Sequence, residues 1–136
     1  MKRLLVCVAA AFGVSILLSA GPLYAHHAFA SEYDAQKKVT LKGTIVTMKW
    51  INPHSWLYIN VPAPDGKVTE WAIEFGNPNQ LLHRGWRKDD LPAGAAVTVE
   101  GYLARNGAKA INARTVVLAN GKELFTGSSS PDGPTN

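Results

Sequence analysis

Apolar and polar residues alternate along most of the chain beyond residue 38, and a period of two is typical of β-strands. Val39, Leu41 and Ile45 share one face of a first strand. The alternation changes phase at Val46, which predicts a β-bulge in a long, bent strand. Four shorter alternating runs predict four further strands, SWLYINV, VTEWAIEF, VTVEGYLA and INARTVV. In the last of these, the residues predicted to share one face are Ile111, Ala113, Thr115 and Val117.

The period changes in GNPNQLLHRGW, which predicts a short helix between the third and fourth strands. Asn77 suits the N-cap, Pro78 the first helical position and Gly85 the stop, and Trp86 is expected to hold the helix end against the sheet. Three strands, a short helix and two more strands is the element order of an OB-type barrel. We therefore predict an all-β domain with one short helix, folded as an OB-like five-stranded barrel. A small open sandwich is the alternative architecture.

A leader precedes this domain. Lys2 and Arg3 are followed by an almost wholly apolar stretch at residues 4–18, which Gly21 and Pro22 end. This is the pattern of a secretory signal peptide. The apolar stretch, about 15 residues long, is shorter than the roughly 20 residues that cross a membrane. We therefore expect a periplasmic or secreted protein with no stable membrane anchor after cleavage.

The position of cleavage decides which residue begins the mature protein. A cut after Ala25 would make His26 the first residue, whereas a cut after Ala30 would remove both His26 and His27. We favour Ala25 because it follows directly on the Gly-Pro break. The predicted organisation is then a signal peptide at 1–25, the barrel domain at 26–127 and a disordered tail at 128–136, where no apolar residue offers an anchor.

Charge and cysteine content narrow the classes of function. The chain has 14 Lys and Arg against 10 Asp and Glu, and without Lys2 and Arg3 the balance falls to 12 against 10, or +2. No basic run is longer than Lys37-Lys38, so no nucleic-acid partner is expected. The only cysteine, Cys7, belongs to the leader, so the mature protein has no disulfide and no thiolate metal ligand.

Three histidines are candidate metal ligands: His26, His27 and His54. If His26 begins the mature chain, its α-amine and imidazole can chelate one ion together, and His27 or His54 can supply a third nitrogen. A T-shaped or square-planar set of nitrogen ligands suits Cu(II). The alternative for His54 is a structural role in the turn that contains it. His83, in the predicted helix, is expected to face solvent.

Aromatic residues surround the turn Asn52-Pro53-His54. Trp50, Trp56 and Tyr58 could line a groove for an organic ligand or a protein partner, as surfaces of OB-type barrels do. They could equally cap the hydrophobic core. The same turn therefore allows three interpretations: a metal site, a groove for a ligand or partner, and a cap on the hydrophobic core.

Catalytic signatures are missing from the sequence. Glu70 and Glu74 lie four residues apart on a strand, about 13 Å by the strand rise, which is too far for the paired carboxylates of glycoside hydrolysis. The chain also contains no Gly-x-Ser-x-Gly elbow and no phosphate-binding glycine loop. We therefore expect no enzyme, but an exported binding module for a copper-type ion or, alternatively, for an organic ligand or protein partner.

Several stretches together resemble a family of small exported bacterial proteins known only as a domain of unknown function. These are AHHAF, VTLKGTIVTMKWINPHSWLYI, GNPNQLLHRGW and VTVEGYLARNGAKAINARTVVLANGKELFTGS, which cover nearly the whole mature chain. Their most specific parts are the N-P-H-x-W motif at residues 52–56 and the L-x-R-G-W motif at residues 82–86. The resemblance implies an exported, barrel-like β-module, and it supplies no ligand or catalytic residue.

Overall fold

A computed structural model of the chain describes residues 29–127. Residues 29–32 form a helical turn, and one further short helix, α1, interrupts a series of strands. The predicted leader at 1–25 and the predicted tail at 128–136 lie outside the described residues. The elements are β1 (Tyr33–Lys49), β2 (Trp56–Pro62), β3 (Val68–Glu74), α1 (Pro78–His83), β4 (Ala96–Ala104), β5 (Ala110–Leu118) and β6 (Glu123–Phe125).

The strands form one sheet whose pairings close on themselves. Their order is β3-β2-β1-β4-β5-β6, and an additional parallel pairing joins β3 to β5. Strands β1 to β5 therefore make a ring of pairings, and β6 pairs with the later part of β5, beyond the part that pairs with β3. The prediction of a mostly β domain with a short helix is confirmed. The five predicted strands are present, and a short sixth strand after Asn120-Gly121 pairs antiparallel with β5.

Strand β1 reaches both of its neighbours because it is long and irregular. Its pairing with β4 runs from Tyr33 to Thr44, and its pairing with β2 runs from Thr44 to Lys49. The register with β2 shifts between Ile45 and Thr47, which confirms the bulge predicted at Val46. The strand begins at Tyr33, six residues before the first alternating residue that the sequence offered. This earlier part positions the site described below.

The interior of the ring is filled by one apolar cluster, to which every strand contributes. Among its members, Leu57, Ile59, Ile73, Phe75, Val99 and Ile111 are essentially inaccessible. The face predicted for β5 was wrong in its second half. Val116 and Leu118 are buried there, whereas Thr115 and Val117 are partly exposed. The cause is a register shift where β5 pairs with Glu100 and Gly101 of β4. Arg114 is skipped in this pairing, so the residues of β5 on either side of it alternate in opposite phase.

Helix α1 has the ends that the sequence predicted. The Asn77 side chain accepts a hydrogen bond from the backbone N–H of Gln80 at 2.9 Å, and the Gln80 side chain accepts one from the backbone N–H of Asn77 at 3.4 Å. Gly85 follows the helix with φ of +90°, a backbone conformation that favours glycine. Trp86 is fully buried, packs against Phe75 and donates from Nε1 to the carbonyl of Phe125 at 2.9 Å, so its predicted anchoring role is confirmed. Within residues 29–127, no helix has the length and apolar character needed to cross a membrane.

Candidate functional site

A row of four side chains crosses the outer face of the ring at one end. Trp56 on β2 pairs with Glu74 on β3, Glu74 with Asn112 on β5, and Asn112 with Tyr102 on β4. Residues that pair directly across strands project from the same face of a sheet. Since the residues that alternate with this row fill the apolar core, the row lies on the opposite side from the core. Even so, Glu74, Asn112 and Tyr102 are at most 3% exposed, so another part of the chain covers them.

An aromatic cluster provides that cover. Phe29, Tyr33 and Tyr102 are buried together, apart from the main core. The ring of Phe29 stacks against Tyr33 at 5.8 Å and meets Tyr102 edge-on at 5.6 Å, measured between centroids. Arg105 holds this segment in place, because its Nε donates to the carbonyls of Ala30 at 2.8 Å and Tyr33 at 3.0 Å. These contacts therefore hold the helical turn and the start of β1 against the end of the ring.

The carboxylate of Glu74 is the centre of the buried polar groups. Its Oε1 is in direct contact with Nδ1 of His54, and its Oε2 accepts a hydrogen bond from Nδ2 of Asn112 at 3.4 Å. Tyr33 also hydrogen-bonds to this carboxylate through its hydroxyl. Burial raises the pKa of the Tyr33 hydroxyl far above its ordinary value, and the bond to Glu74 raises it further. Three elements thus converge on one buried carboxylate: the turn before β2, the start of β1 and β5.

His54 lies between this carboxylate and solvent. The Asn52–Pro53 peptide before it is cis, and the next residue, Ser55, is fully buried with its backbone bonded to Gly76 and Phe75 at 3.0 and 2.8 Å. The His54 side chain is 48% exposed while that of Glu74 is 4% exposed. Since Nδ1 faces Glu74, a neutral ring with its proton on Nδ1 leaves the lone pair of Nε2 unused. This is the arrangement in which proteins hold a metal-ligating histidine.

The described residues supply only one of the three predicted metal ligands. His26 and His27 lie outside residues 29–127. Within that range, no group of three or more His, Cys, Asp or Glu side chains is arranged to hold a metal ion. His83 is exposed on α1, as predicted. The carboxylate that contacts His54 belongs to Glu74 on β3.

The three aromatic residues predicted to form a ligand groove have different surroundings. Trp50 is partly buried against the main apolar core. Trp56 lines an open cleft at the end of the ring. Tyr58 lies two residues further along β2 and has Nζ of Lys49 over its ring, 4.9 Å from the centroid. Of the three, Trp56 is therefore the one that the structure puts at a cavity.

That cleft has a volume of about 580 Å³, and one of its lining residues, Trp56, is the strand partner of Glu74. The helical turn and the start of β1 form one wall, Trp56 forms another, and the loop between β4 and β5 forms the rest. Tyr33 belongs to both features, because it lines the cleft and its hydroxyl bonds to Glu74. The lining residues are Ser31, Glu32, Tyr33, Trp56, Ala104, Arg105, Asn106, Ala108 and Ala110.

Tyr33, Asn112 and Arg105 are parts of the site that no pattern in the sequence predicts. Their signals in the sequence are weak: a tyrosine shortly after the predicted leader and a polar residue in the middle of an apolar strand. Both patterns are equally typical of residues that face solvent.

Comparison with known proteins identifies the chain at the level of a family. No curated protein matches the sequence significantly. The family model described as a family of unknown function, DUF6152, matches residues 14–112, which include His26, His27, His54 and Glu74. The chain belongs to the DUF6152 family.

Proposed function

We propose that this protein is an exported, non-enzymatic binding module that holds a copper-type metal ion between His54 and the histidines of its mature N-terminus. The observation that carries the proposal is the contact between Nδ1 of His54 and the buried carboxylate of Glu74. Such a carboxylate fixes the tautomer and orientation of an imidazole and increases its basicity toward a metal. The exposed half of the ring then offers Nε2 to an ion at the surface.

The path of the chain supports a second ligand from the N-terminus. Phe29 packs against Tyr33, Tyr33 bonds to Glu74, and Glu74 contacts His54. His27 precedes Phe29 by two residues, and two residues of extended chain span at most about 7 Å. His27 and the His26 amine are therefore tethered to the segment that covers the Glu74 carboxylate. In this proposal the His26 amine and imidazole chelate the ion, and His54 or His27 supplies a third nitrogen, a ligand set that suits Cu(II).

We also propose that export processing cuts after Ala25 and not after Ala30. The support comes from what the later cut would remove. Phe29 is 4% exposed within its aromatic cluster, and the carbonyl of Ala30 accepts the hydrogen bond from Arg105. A chain beginning at Ser31 would lose both contacts and uncover Tyr33 and Tyr102. A cut after Ala25 leaves Phe29 in the mature domain, and it leaves His26 and His27 there as well.

The fold in this proposal is an OB-like barrel. The support is the ring of pairings β1-β2-β3-β5-β4, with α1 between β3 and β4 and a bulged first strand that reaches both neighbours. OB-type barrels have this strand order and present ligands at the loops around β1–β2 and β4–β5. Both His54 and the cleft lie at those loops.

Copper binding by defined N-terminal forms of the protein tests the function. One form begins at His26, and a matched form has the same sequence with its α-amine acetylated, which removes the free amine as a ligand. We expect the first form to bind one Cu(II) with nitrogen hyperfine splitting in its electron paramagnetic resonance spectrum, and the acetylated form to bind at least about tenfold more weakly. His54→Ala should weaken binding comparably, whereas His83→Ala, an exposed histidine, is the control. Equal affinity for all four proteins would refute the proposal.

A second candidate function is the binding of an organic ligand. The observation that favours it is the position of Trp56 in the wall of the open cleft. Pockets for small molecules combine an aromatic or apolar lining with a few polar groups, and their volumes overlap that of this cleft. Trp50 and Tyr58 take no part in the lining, so this candidate rests on Trp56 and on residues of the β4–β5 loop.

A further inference from the structure

We propose that the cleft lined by Trp56 and Tyr33 is a binding site for a neutral saccharide. This inference names the ligand class for the second candidate function and rests on that function, but it does not depend on the metal site. It follows from three properties of the cleft: its floor, its aromatic wall and the balance of charge on its rim.

The floor of the cleft consists of small side chains. Ala104, Ala108 and Ala110 bring the chain around the β4–β5 loop close to the surface without filling the space above it. The cavity of about 580 Å³ is open to solvent along one side. A cavity of this size and openness admits one or two sugar rings of a longer oligosaccharide, since ligand sites commonly measure about 300–1,000 Å³.

Two aromatic residues also line the cleft. Trp56 is partly exposed and Tyr33 is buried, and both line the cleft. The face of a tryptophan ring carries partial negative charge and attracts positively polarised groups. The C–H face of a pyranose ring presents such groups, so a sugar ring can pack flat against an aromatic side chain while its hydroxyls point elsewhere.

The polar rim carries both signs of charge. Glu32 and Arg105 line the cleft together with the amide of Asn106. Glu32 would repel an anionic ligand and Arg105 a cationic one, which favours a ligand without net charge. Each of these side chains ends in a planar group that carries hydrogen-bond acceptors, donors or both. Such a group can bond to two neighbouring hydroxyls of a sugar at once.

Two of the rim groups are already held in position. The Nε of Arg105 donates to the carbonyls of Ala30 and Tyr33, and its Nη2 lies 3.8 Å from Oδ1 of Asp34. The Asn106 side-chain oxygen accepts from the backbone N–H of Ala108 at 3.0 Å, so its two amide N–H groups remain as donors. Groups ordered before binding lose little further entropy when a ligand arrives.

The test is a binding screen of the mature protein, freed of metal by chelation, against an array of neutral oligosaccharides of hexose, pentose and N-acetylhexosamine type. Uronic-acid oligosaccharides are included as anionic comparators. Sugars that bind are then measured by titration calorimetry. We expect a neutral oligosaccharide to bind, and Trp56→Ala to weaken its binding by at least about tenfold.

A second variant tests the site independently, so that the result does not depend on whether Trp56→Ala folds. Ala108 is exposed on the loop, so Ala108→Trp should fill the cleft without disturbing the core. Its matched control is Ala93→Trp, the same change at an exposed loop alanine outside the cleft lining. We expect Ala108→Trp to abolish binding and Ala93→Trp to leave it intact.

The outcomes separate this site from the metal site. His54→Ala should bind the sugar as tightly as the unmodified protein, because the measurement is made without metal. Failure of every neutral sugar on the array, binding of uronic acids alone, or binding that survives both Trp56→Ala and Ala108→Trp would each overturn the proposal. None of these results would alter copper binding by the form that begins at His26.

Discussion

Phe29 meets Tyr102 edge-on, with ring centroids 5.6 Å apart and ring planes at 86°. This contact joins the beginning of the described chain to β4, which lies two strands from β2 in the sheet order. The same cluster includes Tyr33, whose hydroxyl bonds to the buried Glu74 carboxylate. The segment that leads from the predicted leader is thus packed directly beside the candidate site, and its packing can be tested separately from any ligand.

Removal of the Phe29 ring should destabilise the domain. Phe29 is 4% exposed, and burial of a phenylalanine side chain contributes about 1.5–3 kcal/mol. We therefore expect Phe29→Ala, and a chain that begins at Ser31, to lower the free energy of unfolding by about 2–3 kcal/mol in urea titrations. Glu32→Gln, a change at an exposed position of the same turn, is the control. Unchanged stability of the chain beginning at Ser31 would remove the structural argument for a cut after Ala25.

Replacement of the Glu74 carboxylate by an amide should weaken metal binding without unfolding the protein. Glu74→Gln keeps the shape of the side chain but removes the charge that faces Nδ1 of His54. Loss of such an outer partner typically costs about 10–100-fold in metal affinity. Copper titrations of the form that begins at His26 should show a loss in this range, with His83→Ala as the control. A Glu74→Gln protein that binds copper normally would show that the carboxylate does not position His54 for a ligand.

The elements of the fold could be predicted because their signals are local. The alternation in β1, the phase change at Val46 and the capping residues Asn77 and Pro78 each depend on neighbours in sequence. The reversal on β5 could not be predicted in this way. It arises because Arg114 is skipped where β5 pairs with Glu100 and Gly101 of β4. This pairing joins residues that are far apart in sequence.

The candidate site was less predictable for the same reason. His54 was identified because the turn that holds it has a distinctive local sequence. Its partner Glu74 stands on a strand whose alternation predicts a solvent-facing side chain, and it is buried only because Tyr33 and its neighbours cover that face. Asn112 is placed beside Glu74 by the parallel pairing of β3 and β5, which no local pattern encodes.

The hydroxyl of Tyr33 should make stability depend on alkaline pH. Burial, and then the bond to Glu74, raise the pKa of Tyr33 in the folded protein. Below the ordinary tyrosine pKa of about 10, both states keep the proton and the stabilisation is fully present. As the pH rises beyond that value, the unfolded state loses the proton first, so the stabilisation declines by up to about 1.4 kcal/mol per pH unit.

Tyr33→Phe removes this dependence and so provides the comparison. At neutral pH we expect the variant to be less stable than the unmodified protein by about 1.5–3 kcal/mol, the usual contribution of a hydrogen bond to a charged group. Urea unfolding at rising alkaline pH should show the difference shrinking. A difference that stays constant up to the pH of alkaline unfolding would contradict a protonated, buried Tyr33.

Glu100 should give the opposite dependence, at acid pH. Its carboxylate accepts hydrogen bonds from Nζ of Lys38 at 3.0 Å and from a guanidinium nitrogen of Arg114 at 3.2 Å. The Lys38 bond, assisted by Arg114, lowers the pKa of Glu100 in the folded protein, although partial burial opposes the shift. The resulting stabilisation is present above the ordinary glutamate pKa of about 4.3 and is lost as the pH falls through the lowered folded value.

Glu100→Gln should therefore be less stable than the unmodified protein at neutral pH and equal to it in acid. All three side chains are about one third exposed or more, so the expected loss is only about 0.5–1 kcal/mol. Molar salt should reduce it further by screening. Glu123→Gln, at an exposed position on the edge strand β6, is the matched control in the same urea titrations. A loss that persists unchanged in acid and in high salt would mean that Glu100 acts through packing, because an ion pair between β4, β1 and β5 must weaken under both conditions.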